Sequence, residues 1–497
     1  MTDLLTIREA PVSLKHPDRL YINGEWVLPK SGRGFDIIDS ATEDAFYRVA
    51  EAGSEDMDDA IAAARNAFDH SPWPFLEPRE RAEYLRKIAA RLRDRSTEAA
   101  TFWTRQAGPV FRMSAYSIAR VPALFDNYAD LADTFEWEVQ GKPEFSDWGA
   151  VVHEPVGVVA AIVPWNTPLS LAAYKVAPAL LAGCTIVLKA PPEAPGELYI
   201  LAEIAEEIGL PAGVLNVVTA DRAVSEQLVR DARVDKIGFT GSGVVGRRIA
   251  TIAGERLARY TLELGGKSAA VVLDDYDLGD AATAIAQAET SITGQVCMSL
   301  TRVIVSKDRH DEFAEALGSA FGAVKVGDPF DPESQMGPLA MARQHERVLG
   351  YVQKGLDEGA TLVTGGRRPA DLPRGFYVEP TVFANVDNAS TIAQEEIFGP
   401  VISVIPTASQ EQAIEFANGT QYGLNNAVFT HDIDRAYQVA RRLRSGTVGH
   451  NGFKVDTNMG YGGFKQSGYG REGGVQGLLA YLETKTLVLD TKPSRFQ

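Results

Sequence analysis

From Val151 onward the chain alternates between short apolar runs and longer amphipathic stretches. VVHEPVGVVAAIVPW is a nearly continuous β-branched run, the pattern of a strand covered on both faces. LSLAAYKVAPALLAG then reads as an apolar helix, TIVLK as a strand and GELYILAEIAEEIGL as a second helix. VLNVVT, a short helix near 223–231, VDKIGFT, a helix after Gly243 and the strand YTLEL continue the series. Such strict alternation predicts a parallel, doubly wound sheet. Upstream, residues 55–105 read as helical, with Tyr84, Leu85, Ile88 and Leu92 on one face. A second alternating region, from about Thr301 to Val448, predicts another α/β domain. Its strands are TRVIVS, ATLVTG, YVEPTVF and PVISVIP, with helices near 308–322, 340–358, 409–418 and 432–443. LETKTLVLD at the end of the chain and FSDWGAVVHEP before the first buried run have strand character but no partner nearby in sequence. They are expected to pair beyond their own domains, across a subunit interface.

A chain of 497 residues exceeds one compact core, so two or three structural units are expected. With 45% hydrophobic and 23% charged residues, the composition is that of a soluble globular protein. The net charge of −17 argues against a nucleic-acid partner, because a phosphate footprint needs a basic surface. No apolar run reaches the ~18 residues of a membrane span. The opening MTDLLTIREAPVSLKHPDR lacks an apolar core followed by a small-residue cleavage site, so no signal peptide is expected. Only two cysteines, Cys184 and Cys297, are present. That excludes a disulfide framework and fits a reducing cytoplasm. The seven histidines show no ligand spacing, and no metal is expected.

Three stretches carry candidate chemistry. In FTGSGVVGRR, Gly241, Gly243 and Gly246 spell G-x-G-x-x-G after a strand, with Glu263 where an acid would meet a ribose. Taken alone, a glycine-rich turn without any ligand explains the stretch equally well. PWNTP places Asn166 where the first buried strand ends; it is either an oxyanion donor or a turn asparagine between prolines. GQVCMS sets Cys297 among apolar neighbours, as a nucleophile or simply as a small hydrophobe. Cys184, in LLAGCTIV, fits the second description.

PWNTP, FTGSGVVG, LELGGKS, GQVC, EEIFGPV and GYGGFKQSGYGRE occur in this order, and as a set the chain resembles the aldehyde dehydrogenase superfamily. The resemblance runs from RLYINGEW at 20 to the terminal strand. It implies a Rossmann-like parallel cofactor domain over 20–140 and 154–264 and an α/β catalytic domain over 265–465. A small β oligomerisation element from 141–153 and 482–497 would build a homodimer or homotetramer. The implied activity is hydrolytic oxidation of an aldehyde to the acid, with NAD as cofactor and NADP as the alternative. Cys297 is then the nucleophile, Glu263 the general base and Asn166 the oxyanion donor, with Lys175 near the base.

The family's loop reads G-S-x-x-x-G, so Gly241, Ser242 and Gly246 match, Gly243 is incidental, and Glu263 is not a ribose ligand. Further dinucleotide contacts are implied at Ile162, Val163, Pro164 and Trp165, and at Leu264, Glu396 and Phe398. Lys189 matches the lysine that holds the adenosine ribose. Many relatives place a glutamate three positions later; here Pro192 stands there, with Glu193 one step on, which leaves NAD favoured. Thr167, Leu171, Val296, Met298, Phe453 and Tyr461 are expected to line an apolar substrate tunnel, whose wall Gly460 would loosen where relatives carry proline. A medium or bulky hydrophobic aldehyde, aromatic or terpenoid, suits such a tunnel. The alternatives are a dehydrogenase that acylates coenzyme A and a non-catalytic protein that keeps the fold. Retention of Cys297, Glu263 and Asn166 together argues against the second.

Overall fold

The computed structural model describes residues 14–494. Thirteen of the nineteen positions of the signal-peptide reading, and residues 495–497 at the end of the oligomerisation segment, lie outside the described residues.

The strand Val158–Ile162 is buried along its whole length. Val159 and Ala161 join one hydrophobic core, while Val158, Ala160 and Ile162 join another on the opposite face. Burial on both faces is why the sequence shows no polar alternation here, and each large aliphatic side chain so covered contributes ~1.5–3 kcal/mol. The strand lies in an eight-stranded sheet ordered Gly468–Tyr469, Arg259–Glu263, Lys236–Thr240, Val158–Ile162, Thr185–Ala190, Leu215–Thr219, Leu20–Ile22, Glu25–Val27. The five middle strands are parallel and the outer ones antiparallel. From Val158–Ile162 the chain winds outward through Thr185–Ala190 and Leu215–Thr219, then returns to the other side with Lys236–Thr240. The reversal point, between Val158–Ile162 and Lys236–Thr240, is where a doubly wound sheet opens a crevice at its carboxyl ends.

The long run from Val151 is not one strand. It breaks at Gly157, whose φ of 128° and whose contact with Asp235 exclude a side chain; a Cβ there would lie 1.9 Å from the Asp235 carboxylate. That carboxylate accepts the Val158 amide N–H at 2.7 Å, fixing the start of the sheet strand. The preceding piece, Trp148–Pro155, forms a separate three-stranded sheet between Leu482–Leu489 and Glu138–Gly141. The two orphan strands therefore pair with each other inside one chain, Leu487 opposite Ala150 and Thr486 opposite Val151. This corrects the expectation that they meet across subunits; what stays open is the outer edge of Leu482–Leu489.

The second α/β region is a seven-stranded sheet ordered Thr361–Thr364, Thr381–Ala384, Val401–Thr407, Arg302–Ser306, Ala269–Val272, Asn425–Phe429, Thr447–His450, parallel apart from its first strand. Ala269–Val272, Asn425–Phe429 and Thr447–His450 were not foreseen: each is short, and glycines or asparagines blur its boundaries. The helical stretch 55–105 resolves into Ser54–His70, Pro78–Asp94 and Ser96–Ala107, with Leu85, Ile88 and Leu92 buried and Tyr84 partly so.

Candidate active site

Two loops leave the sheet at the crevice. Val163, Pro164, Trp165, Asn166 and Thr167 follow the strand Val158–Ile162 and lead into the helix Pro168–Ala182, whose fixed-φ Pro168 sits in its first turn. Gly241 and Ser242 follow Lys236–Thr240 and start the helix Gly243–Arg256, with Ser242 as N-cap accepting the Val245 N–H. Gly241 and Gly246 have no room for a side chain: a Cβ would lie 2.5 Å from Phe239 and from Leu264 respectively. Gly243 has room, with Arg247 3.5 Å away, so the middle glycine is sterically dispensable.

The crevice holds two adjoining cavities of about 430 and 640 Å³ that share Pro164, Trp165, Thr240 and Gly241. Ile162, Val163, Lys189 and Glu193 line the smaller one. Burial there pushes the Lys189 ammonium down to about 8, opposed by the charges of Glu193 and Asp221. Glu193 is ion-paired with Arg343, which also lines this cavity. Gly246 lines neither cavity; it carries the helix against Leu264.

Cys297, Asn166, Glu263, Leu264, Glu396 and Phe398 meet in the larger cavity, with Ser242 at its edge. Glu263 therefore shares a cavity with the thiol, while Lys189 and Glu193 lie in the adjoining one. The loop bearing Cys297 is held by buried Gln295, which donates to the carbonyls of Ala107 and Ile292 and accepts the Ala340 N–H. The half-buried Cys297 thiol lies 3.6 Å from the Tyr461 hydroxyl. Burial pushes the thiol up to about 12; the Tyr461 hydrogen bond opposes this, and the nearby Glu396 and Glu263 carboxylates add to it. One amide hydrogen of Asn166 is donated to the Gln295 carbonyl at 2.9 Å, leaving the other available. Phe398 stands in the left-handed region at φ 64°, its ring edge-on to Trp165 at 5.4 Å. Gln344 holds this strained turn through the carbonyls of Ile397 and Phe398, and Glu396 accepts the Gly266 N–H at 3.2 Å. Burial raises Glu396 to about 7.

Glu263 closes the strand Arg259–Glu263 and is 1% exposed, with neither carboxyl oxygen hydrogen-bonded. Burial and then the charge of Glu472 push it well above the usual carboxylate range, while Lys175 and Arg471 pull the other way. Lys175 is not on the cavity wall. It is buried behind it, donating to Glu472 at 2.7 Å and to the Thr240 hydroxyl at 2.6 Å.

The aldehyde dehydrogenase family profile matches residues 26–487. The chain belongs to that family. Geranial dehydrogenase of Castellaniella defragrans is 42% identical over 95% of this chain and 98% of its own length. The crystal structure of a Mycobacterium tuberculosis aldehyde dehydrogenase complexed with NAD+ superposes with a TM-score of 0.93 at 41% identity, covering 95% of this chain and 98% of that one. A mutant of aldehyde dehydrogenase C from Pseudomonas syringae, complexed with NAD+ and octanal, gives a TM-score of 0.94 at 35% identity, with coverages of 98% and 100%.

In this dehydrogenase all six residues expected on the substrate side, Thr167, Leu171, Val296, Met298, Phe453 and Tyr461, line the larger cavity. Gly460 does not line it and does not loosen its wall. The space beside Gly460 is filled by Gln476, whose carboxamide oxygen would lie 1.6 Å from a Cβ there. Sequence reasoning missed Trp103, Tyr116, Val121, Leu124 and Tyr174 on the outer wall, and Glu472 behind it. The apolar spacing in VPALFDNYADLADT was the available signal for the helix Val121–Thr134. Cys184 is fully buried, packed against the Tyr481 carbonyl and pushed up to about 11 by burial, an inert core thiol. Among the described residues no group of three or more His, Cys, Asp or Glu is placed to hold a metal ion, and no helix is long and apolar enough to cross a membrane.

Proposed function

We propose that this aldehyde dehydrogenase oxidises a medium or bulky hydrophobic aldehyde, aromatic or terpenoid, to the carboxylic acid, with NAD as acceptor and hydrolysis of a Cys297 thioester. The observation carrying this reading is convergence. A thiol, a free amide hydrogen and an unpaired raised carboxyl face one cavity whose outer part is apolar. The relative named for geranial and the neighbour bound to octanal support a hydrophobic substrate, and the neighbours bound to NAD+ support the cofactor.

The uncovered backbone at Gly241 and the N-terminus of the helix Gly243–Arg256 suit a diphosphate. Lys189 would hold the adenosine ribose, and Glu396 with Phe398 the nicotinamide end. When bound, the nicotinamide takes up the hydride leaving the aldehyde carbon.

Cys297 must first lose its proton, since its thiol is protonated at neutral pH; Glu263, itself raised, is the acceptor in the same cavity. The thiolate forms a C–S bond to the carbonyl carbon, and the free Asn166 N–H meets the oxygen as it becomes negative. Such a donor typically contributes ~3–4 kcal/mol. Hydride departure leaves a thioester. Glu263 releases the thiol proton to solvent, then takes a proton from water as the water oxygen adds to the acyl carbon. The C–S bond breaks, the acid leaves, and the departing thiolate takes that proton back from Glu263. This use of Glu263 disfavours transfer to coenzyme A. The exposed edge of Leu482–Leu489, with Val488 and Leu489 open to solvent, supports assembly into a homodimer or homotetramer. Both cysteines are free, which fits a cytoplasmic setting.

The test is Glu263→Gln with benzaldehyde and a terpenoid aldehyde under NAD. Thiolate formation should slow, hydrolysis should slow more, and an acyl adduct on Cys297 should therefore accumulate and appear by intact mass spectrometry. Weakened NAD binding with normal turnover at saturation would instead return Glu263 to the ribose.

A further inference from the structure

The cavity holding Cys297 reaches outward to Tyr116, on the helix Phe111–Ile118, where Arg120, Val121 and Leu124 complete its rim. Tyr116 also lines a separate cavity of about 630 Å³ on its far side. The segment from Thr290 to Ile292 runs between the two: Thr290 and Ser291 line the outer cavity and Ile292 the inner one. No step of the proposed reaction uses this outer space. Its apolar wall comes from Val110, Met113, Ala286, Ala320, Ala323 and Val324. Several of its polar residues are satisfied by their own surroundings. Thr290 donates to the Ala286 carbonyl at 2.7 Å, Ser291 to Ala288 at 2.8 Å and Arg112 to Pro332 at 3.0 Å. A largely apolar wall, several of whose donors are already used, asks few hydrogen bonds of its occupant, which suits hydrocarbon. Tyr116 is 63% exposed, with the Arg120 guanidinium 5.6 Å from its ring centre. It is a large aromatic left uncovered on the wall that the two cavities share.

We infer that the outer cavity binds the distal part of a long-chain aldehyde, with Tyr116 as the sill over which the chain passes. The occupant follows from continuity: one residue walls both spaces, and the inner one already holds the proposed reacting thiol. The inference rests on the aldehyde dehydrogenase reading above and extends it from a medium-sized hydrophobe to a chain long enough to leave the tunnel. Each methylene gained beyond Tyr116 should tighten binding by about fourfold, the fold-change equivalent to ~0.8 kcal/mol per buried CH₂.

Linear aldehydes from hexanal to tetradecanal, assayed with NAD on wild type, Ala323→Trp and Ala320→Phe, test this. Ala323 is exposed, so the tryptophan fills the outer cavity without entering a packed core. In wild type, KM should keep falling beyond octanal. In Ala323→Trp the ratio of kcat/KM for tetradecanal over hexanal should drop at least tenfold, with Ala320→Phe changing it in the same direction. An unchanged ratio in both variants, or a wild-type KM flat beyond octanal, overturns the inference while hexanal turnover leaves the underlying activity standing. Failure of wild type to reduce NAD with any of these aldehydes would overturn both. A variant that lowers the association state in light scattering without altering the ratio assigns the cavity to a second copy of the chain.

Discussion

Removing the Glu472 carboxylate should make the enzyme work at lower pH. In the proposed mechanism Glu263 must be ionised to accept a proton, so the rate of thioester hydrolysis rises with pH through the Glu263 pKa and levels off above it. That pKa is raised by burial and then by Glu472, and lowered by Lys175 and Arg471. In Glu472→Gln the repulsion disappears while the amide oxygen can still accept from Lys175, whose cation is left facing Glu263. A charge neighbour at close range typically moves a carboxyl by one to three units, so the acid limb should shift down by about one to three pH units. Lys175→Met is the informative contrast. At 2.7 Å, with an effective dielectric near 20, the Lys175–Glu472 attraction is ~6 kcal/mol. Lys175→Met removes the attractive neighbour and leaves Glu472 facing Glu263, so its limb should move up, opposite to that of Glu472→Gln. Decay of the acyl-enzyme, quenched from pH 5 to 10 and read by intact mass spectrometry, gives both limbs directly. An upward or absent shift in Glu472→Gln would refute the electrostatic account.

Cys297→Ala should abolish aldehyde oxidation while NAD still binds by calorimetry, whereas Cys184→Ala retains activity within about twofold; residual turnover within tenfold of wild type in Cys297→Ala would dismiss it as the nucleophile. Because Arg343 neutralises Glu193 beside the Lys189 cavity, Arg343→Ala should raise the NAD-over-NADP ratio of kcat/KM by about two- to fivefold, the scale of an exposed ion pair worth ~0.5–1 kcal/mol; a fall in that ratio would count against Glu193 facing the ribose. Val488→Lys, on the open edge strand, should lower the association state in light scattering without unfolding the chain, and a monomeric, fully active wild type would remove the proposed interface.

What the sequence disclosed and what it hid follow one physical division. The glycine turn, the PWNTP turn and the thiol loop each lie within a few residues, and their order along the chain is fixed by the winding of the sheet, so they can be read from text. Glycine chemistry was nearly as legible: the family pattern demoted Gly243, and the room beside it bears that out, while Gly241 and Gly246 have none. The charge environment of the proposed base, Glu263, was not legible. Lys175 and Glu472 are 297 positions apart, and nothing local distinguishes Glu472 from a solvated acid at a turn. The same holds for the two orphan strands, whose mutual pairing spans most of the chain and so invited a partner from another subunit. Gly157 shows the intermediate case, in which the break it imposes was written in the sequence as one glycine within an apolar run. Only the Asp235 carboxylate filling its side-chain position shows that the chain must turn there. The residues that tune the Glu263 carboxyl therefore come from segments that only the completed fold brings together. A change at Glu472, far from any recognisable motif, should alter the pH at which the thioester is released.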